Sequence, residues 1–187
     1  MKKKQYKLKS KVLISNNKRF NIYFDNLIIN KKSIKKFLMI RPIVKKKDKI
    51  VGICIVPEFK KKFGLMKVWR HQFNESLWQV PAGFVEKNET VEFTAIKELQ
   101  EEAGLNCEKK NLKFLGKMVP DAGLLEGKVA LFLAIDCKKT SDKISPEIGV
   151  NKIHFFNKKV VKEMLIKNKV INGSSYVALS KALNFNG

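Results

Sequence analysis

The stretch Gly83–Leu105 reads GFVEKNETVEFTAIKELQEEAGL, and it holds the most informative pattern in the chain. Glu98, Glu101 and Glu102 are spaced i, i+3 and i+4, so a helix here would gather three carboxylates on one face. Taken alone, an acidic face of this kind is most often a solvated helix surface. The residues on either side of it favour a functional interpretation.

The sequence marks both ends of this predicted helix. Asn88 or Thr90 can cap its first amides, and Gly104 is suited to end it in a left-handed conformation. Apolar residues at helical spacing form the opposite face: Val91, Ala95, Ile96, Leu99 and Ala103. The pattern therefore predicts a loop, a helix packed on one side, and a second loop. Carboxylate oxygens held on such a support are the ligands that Mg²⁺ prefers.

The stretch resembles the Nudix box, whose pattern is Gly, five residues, Glu, seven residues, Arg-Glu, an aliphatic residue, any residue, Glu-Glu, any residue, Gly and an aliphatic residue. The positions in register are Gly83, Glu89, Glu98, Leu99, Glu101, Glu102, Gly104 and Leu105. The one departure is Lys97, where the family has arginine. In the family, that arginine orients the first glutamate of the box through a two-pronged contact, of which a lysine retains only the charge. The resemblance thus implies catalytic roles for Glu89 and Lys97.

The resemblance also implies a metal site. Glu98, Glu101, Glu102 and the carbonyl of Ala82 would bind Mg²⁺ or Mn²⁺, and Glu101 and Glu102 would count among the catalytic residues. The proton of the attacking water would pass to a box glutamate or to Glu147, which lies in the loop predicted before the last strand.

Features outside the box are similar to the ADP-ribose pyrophosphatase branch of the family. Pro120 lies fifteen residues beyond Leu105, Arg70 belongs to a predicted strand ending in Arg-His-Gln-Phe, and Pro81-Ala82 leads into Gly83. Arg70, Gly83 and Pro120 are therefore expected to bind substrate. The implied reaction is metal-dependent hydrolysis of the diphosphate linkage of ADP-ribose or a related nucleoside diphosphate sugar, giving a nucleoside monophosphate and a sugar phosphate.

Two alternatives remain open at this point. The substrate could be another nucleoside diphosphate derivative, such as GDP-mannose or a dinucleotide polyphosphate. The chain could also be a Nudix-fold protein that binds a nucleotide or RNA with little turnover. The lysine excess and Lys97 favour the binding protein, whereas the complete set of box glutamates favours the enzyme.

The net charge of +22 would attract anionic ligands of any kind. Only Arg19, Arg41 and Arg70 are arginine, and the chain is also rich in Ile, Asn and Phe, a mixture that AT-rich codons produce. Coding bias is therefore preferred over a selected nucleic-acid surface. Nucleic acid is not the favoured partner.

No apolar run reaches the length of a membrane helix, and the lysine-rich start is not followed by a signal-peptide segment. We therefore expect a cytoplasmic protein without a membrane partner. Cys54, Cys107 and Cys137 are far apart in the sequence, lack metal-ligand spacing, and fit reduced thiols.

The expected fold class is α+β, an α-β-α sandwich of the Nudix type with a mixed central sheet flanked by helices. Residues 1–45 are predicted to form a small antiparallel β-sheet, and residues 46–187 the Nudix hydrolase domain. The resemblance implies a homodimer formed through the N-terminal sheets. Outside the box, strands are predicted over residues 11–15, 20–24, 27–29, 50–56, 65–73, 113–119, 129–136 and 152–156, and helices over residues 158–167 and 174–183.

Overall fold

The computed structural model describes residues 6–44, 46, 48–140 and 150–185. The chain divides into two compact units. The first unit consists of Met1–Val51 and Val119–Lys128, and the second of Gly52–Met118 and Val129–Gly187.

The first unit contains a three-stranded antiparallel sheet in the order β1 (Tyr6–Asn16), β2 (Phe20–Ile29) and β3 (Lys32–Pro42). The two short strands predicted between residues 20 and 29 are one continuous strand. No separate strand was predicted over residues 32–42, because the lysine runs there were interpreted as solvated turns and sheet edges. The position of β3 at the edge of the sheet explains these lysines, because exposed charged residues such as Lys35 and Lys36 are typical of edge strands.

The second unit is built on a seven-stranded mixed sheet. The remaining strands of the chain are β4 (Ile50–Phe59), β5 (Lys62–Arg70), β6 (Glu75–Gln79), β7 (Ala82–Phe84), β8 (Leu105–Asn106), β9 (Leu112–Met118), β10 (Lys128–Ala134), β11 (Lys138–Lys139) and β12 (Val150–Asn157). The order across the sheet is β12-β5-β4-β10-β9, with β6 beside β5 and β7 beside β4. Strands β8 and β11 form a separate antiparallel pair.

The sequence pattern predicts a loop over residues 58–64, between the strands predicted over 50–56 and 65–73. This prediction is wrong, because a turn at Lys60 and Lys61 joins β4 directly to β5. Both lysines have positive φ, 49° and 61°. Two successive residues of positive φ make the tight turn whose twist matches that of the flanking strands. Such a turn usually contains Asn or Gly. Because lysine is not typical of it, the turn could not be predicted from the sequence.

The helices of the second unit are α1 (Val91–Ala103), α2 (Lys158–Ile166) and α3 (Gly173–Leu183). The predicted caps of α1 are confirmed: the Thr90 side chain accepts a hydrogen bond from the amide of Phe93, and Gly104 has φ 62°. Helices α2 and α3 contribute buried side chains to the same core cluster as β4, β5 and β10. The predicted α+β class, with a mixed sheet, flanking helices and a separate small antiparallel sheet, is confirmed. Among the described residues, every helix is too short or too polar to cross a membrane.

Candidate active site

Two glutamates of α1 reach the backbone of β7. The amide of Ala82 donates a hydrogen bond of 2.8 Å to Oε2 of Glu102, which is 3% exposed. Glu98, one turn earlier, occupies the space where a side chain at residue 83 would lie. A Cβ added to Gly83 would be 1.9 Å from Oε1 of Glu98. Two carboxylates are therefore held against neighbouring positions of one strand.

Close backbone packing between β7 and β4 explains why residue 52 is glycine. Strand β7 pairs with β4, and Cys54 lies opposite Ala82. In the same pair, a Cβ added to Gly52 would meet the carbonyl oxygen of Gly83 at 3.0 Å. Burial, together with the nearby charge of Glu102, raises the pKa of Cys54 to about 12, so its thiol stays neutral beside this carboxylate.

The third predicted ligand is placed differently. Glu101 lies on the same helix, but it is exposed. In the part of the chain that the structure describes, no three His, Cys, Asp or Glu side chains form a group that could hold a metal ion. The pair Glu98 and Glu102 still fits Mg²⁺, because this ion is commonly bound by one or two carboxylates, with water and substrate phosphates as its other ligands.

A second group of side chains fixes Glu89, the first glutamate of the box. Nζ of Lys97 lies 2.7 Å from Oε1 of Glu89, and the hydroxyl of Thr94 lies 2.8 Å from Oε2. The amide of Glu86 also donates to Oε2, at 3.4 Å. The loop before α1 is thereby tied to the first two turns of the helix.

These contacts keep both partners of the ion pair charged. Burial opposes ionisation of Glu89, but hydrogen bonds from Lys97 and Thr94 outweigh it and lower the pKa of Glu89. The hydrogen bond to Glu89 raises the pKa of Lys97, and the charges of Glu98 and Glu101 raise it further. The ammonium of Lys97 therefore lies within the electrostatic reach of three carboxylates.

Two of the other predicted site residues, Arg70 and Pro120, are among the residues that the structure describes. Arg70 donates a hydrogen bond of 2.6 Å from Nη2 to Oε1 of the buried Gln79, three residues before Ala82. Pro120 is exposed and belongs to the first unit. Glu147 lies outside the described residues.

Thr94 is a site residue that the sequence analysis missed. It is fully buried, and its hydroxyl contacts both Glu89 and the carbonyl oxygen of Thr90. A signal was available, because Thr94 precedes Lys97 by three residues and the two therefore lie on the same side of a helix. A buried hydroxyl on the side of a predicted ion pair is a natural second donor to the carboxylate.

Comparisons with known proteins agree with the fold. The chain is 30% identical over 94 residues to a methanol dehydrogenase activator of Bacillus methanolicus, covering 50% of this chain and 49% of that protein. It is 29% identical over 103 residues to an ADP-ribose pyrophosphatase of Bacillus subtilis (strain 168), covering 55% of this chain and 54% of that protein. The alignments thus span about half the length of these relatives.

A solved structure described as an ADP compounds hydrolase superposes with a TM-score of 0.79 at 16% identity, covering 98% of this chain and 96% of that one. At this identity the likeness establishes the fold. The model of the NUDIX domain matches residues 46–162, which is more than half of the chain and includes the whole of α1 and β7. The protein therefore belongs to the Nudix family.

Proposed function

We propose that the protein is a metal-dependent hydrolase that cleaves the diphosphate linkage of ADP-ribose or a related nucleoside diphosphate sugar, releasing a nucleoside monophosphate and a sugar phosphate. The observation that carries the proposal is the placement of Glu98 and Glu102 against β7. Burying a carboxylate is costly unless hydrogen bonds or a cation compensate. Similarity to an ADP-ribose pyrophosphatase supports the substrate class.

In this proposal Glu98 and Glu102, with the carbonyl of Ala82 and the exposed Glu101, would hold Mg²⁺ or Mn²⁺. A bound ion supplies Lewis-acid chemistry, since it neutralises phosphate charge and activates water. Lys97 has a separate role in this proposal. Before a metal ion binds, its ammonium reduces the repulsion among the carboxylates of Glu89, Glu98 and Glu101.

The remaining roles rest on the family resemblance. Glu147 is proposed to accept the proton of the attacking water, and Arg70, Gly83 and Pro120 to contact the substrate. Gly83 also has a positioning role in this proposal, since its lack of a side chain makes room for the carboxylate of Glu98.

The test is hydrolysis of ADP-ribose by the purified full chain with and without Mg²⁺, followed by chromatography of AMP and ribose phosphate. Glu102→Gln should lower turnover by orders of magnitude, roughly 10²-fold or more. Glu92→Gln removes the same charge from an exposed position of the same helix and should retain turnover. Unchanged turnover in Glu102→Gln would remove this residue from the mechanism.

Identifying the substrate requires a second set of assays. GDP-mannose and a diadenosine polyphosphate, assayed in parallel, would show which group beyond the diphosphate is accepted. A preference for either compound over ADP-ribose would support the hydrolase function but assign it a different substrate.

The distribution of charge favours one alternative function, a Nudix-fold protein that binds RNA or a nucleotide with little turnover. The two segments of the first unit, 1–51 and 119–128, contain eighteen Lys or Arg but only four acidic residues, Asp25, Asp48, Asp121 and Glu126. Such an excess attracts polyanions. Tight RNA binding that weakens steeply with salt, without hydrolysis of any substrate in the panel, would establish this alternative instead.

A homodimer and a cytoplasmic location complete the proposal. Strands β1 and β3 expose large apolar side chains: Leu8, Val12, Leu13, Ile14, Ile34, Phe37 and Leu38. A second copy would cover such a surface. Light scattering of the wild type should give a dimer mass and Val12→Lys a monomer, and a monomeric wild type would rule the dimer out. The three unbridged cysteines fit a reducing compartment.

A further inference from the structure

Two cysteines that are far apart in the sequence lie opposite each other in the second unit. Strands β8 and β11 pair antiparallel, with Asn106 opposite Lys138. Extending this register by one residue places Cys107 opposite Cys137. Residues facing each other in an antiparallel pair have Cα atoms about 4.5–5.5 Å apart. That separation is within the range of about 4.4–6.8 Å in which a disulfide forms.

The two thiols influence each other's ionisation, and their environments differ. The neighbouring thiol of Cys137 lowers the pKa of Cys107 against the effect of burial. The neighbouring thiol of Cys107, together with burial, raises the pKa of Cys137, whose Sγ donates a hydrogen bond of 3.4 Å to the carbonyl oxygen of Ala134. Cys107 is partly exposed, whereas Cys137 is 6% exposed. One thiol of the pair is therefore accessible and more readily ionised, and the other is a protected neighbour.

This asymmetry is what a peroxide-sensitive pair requires. The thiolate is the form that attacks peroxide, and a second thiol must lie close enough to react with the oxidised sulfur. The third thiol provides a contrast, because Cys54 is buried and its pKa is raised to about 12.

We propose that Cys107 and Cys137 form a reversible disulfide in response to hydrogen peroxide, with Cys107 oxidised first and Cys137 as the resolving thiol. The proposal does not depend on the hydrolase activity. Sγ of Cys107 attacks one peroxide oxygen, the O–O bond breaks, and the products are a sulfenic acid on Cys107 and water. Sγ of Cys137 then attacks that sulfur, the S–O bond breaks, and the hydroxyl leaves as a second water with the proton of Cys137. One peroxide is reduced to two waters while two thiols become one disulfide.

The crosslink would act on the end of the box helix. Thr140, directly after β11, donates two hydrogen bonds to the carbonyl oxygen of Gly104, from its amide at 2.9 Å and from its hydroxyl at 3.2 Å. Gly104 ends α1 and precedes β8. A disulfide between residues 107 and 137 would therefore fix β11 against β8 beside this contact, so the oxidised protein should melt at a higher temperature than the reduced protein.

The experiment treats the reduced full chain with stoichiometric hydrogen peroxide and counts thiols after unfolding. The wild type should fall from three thiols to one, lose the mass of two hydrogen atoms, and regain three thiols with dithiothreitol. Cys54→Ser is the matched control and should still lose both of its thiols. Cys107→Ser should react more slowly, on the order of 10-fold, because the accessible thiolate is gone.

Cys137→Ser separates the two steps. Without its resolving thiol the sulfenic acid should persist on Cys107, where dimedone captures it and peptide mass spectrometry locates it. In the native wild type, iodoacetamide should also label Cys107 before Cys54 and Cys137. Three thiols remaining in the treated wild type, disulfides between chains, or a dimedone adduct on Cys54 would each overturn the proposal.

Discussion

Lys97 and Thr94 contact opposite oxygens of the Glu89 carboxylate, the ammonium at 2.7 Å from Oε1 and the hydroxyl at 2.8 Å from Oε2. An arginine at position 97 could reach both oxygens with one planar group. In this chain, two residues one helical turn apart share that contact. The lysine at a position where the family has arginine is therefore accompanied by a second donor.

The first prediction concerns this shared contact. Thr94→Val removes one donor to Glu89 at nearly constant volume and should lower the free energy of unfolding by about 1 kcal/mol. Lys97→Arg should leave turnover unchanged or raise it. In the Lys97→Arg background, Thr94→Val should lower the free energy of unfolding by less than in the wild type, because arginine can donate a hydrogen bond to each oxygen of the Glu89 carboxylate. Urea unfolding and ADP-ribose turnover of the four proteins measure this coupling, and Thr94→Ser serves as the control that retains the hydroxyl. Strictly additive effects would show that the two donors act independently.

The second prediction concerns the space beside β7. Gly83→Ala places a methyl group where the carboxylate of Glu98 lies, so the glutamate must move. A displacement of about 1 Å at a reacting site can cost on the order of 10²-fold in rate. Gly173→Ala is the control, because an added Cβ there meets nothing within 4 Å. Full turnover in Gly83→Ala would show that turnover does not require Glu98 in the position seen beside β7.

The third prediction is a pH dependence of stability. The pKa of Glu89 is lowered in the folded state, so in acid the unfolded chain binds the proton first. The contribution of Glu89 to the free energy of unfolding should be complete above its unfolded pKa of about 4.3 and should be lost as pH falls through the lower, folded value. Acid unfolding of the wild type and of Glu89→Gln, both in EDTA, measures this difference. A difference that stays constant down to pH 2 or so would contradict the ion pair as its source.

The fourth prediction concerns the end of α1. Gly104 has φ 62° and ψ 27°, a conformation that costs other residues about 1–2 kcal/mol. Gly104→Ala should lower the free energy of unfolding by that amount, and Gly104→Asn by less, because asparagine tolerates the left-handed region. Urea unfolding compares them. Equal losses for alanine and asparagine would indicate that steric contacts, and not backbone conformation, set the requirement for glycine.

The box helix could be predicted because its signals are local. Thr90 and Gly104 lie at its two ends, and the apolar spacing between them needs no knowledge of distant residues. The spacing of the glutamates likewise predicts a shared helix face. It does not predict that Glu98 and Glu102 are held against β7 while Glu101 is exposed, because that depends on which strand packs against the helix.

The features that were missed depend on non-local pairing. The lysines of β3 obscure its strand signal, and they are tolerated because, among the described residues, no strand pairs with its outer edge beside Lys35 and Lys36. The turn at Lys60 and Lys61 is imposed by the pairing of β4 with β5. The approach of Cys107 to Cys137 likewise follows from the register of two very short strands.

The lysines of β3 have a consequence for the protein at high concentration. An uncovered strand edge can template the stacking of further chains into fibrils, and charged side chains on that edge oppose it. Replacing Lys35 and Lys36 with threonine would keep the strand but remove this protection. Fibril growth, seen by thioflavin fluorescence, should then appear at temperatures where the fold itself is still intact.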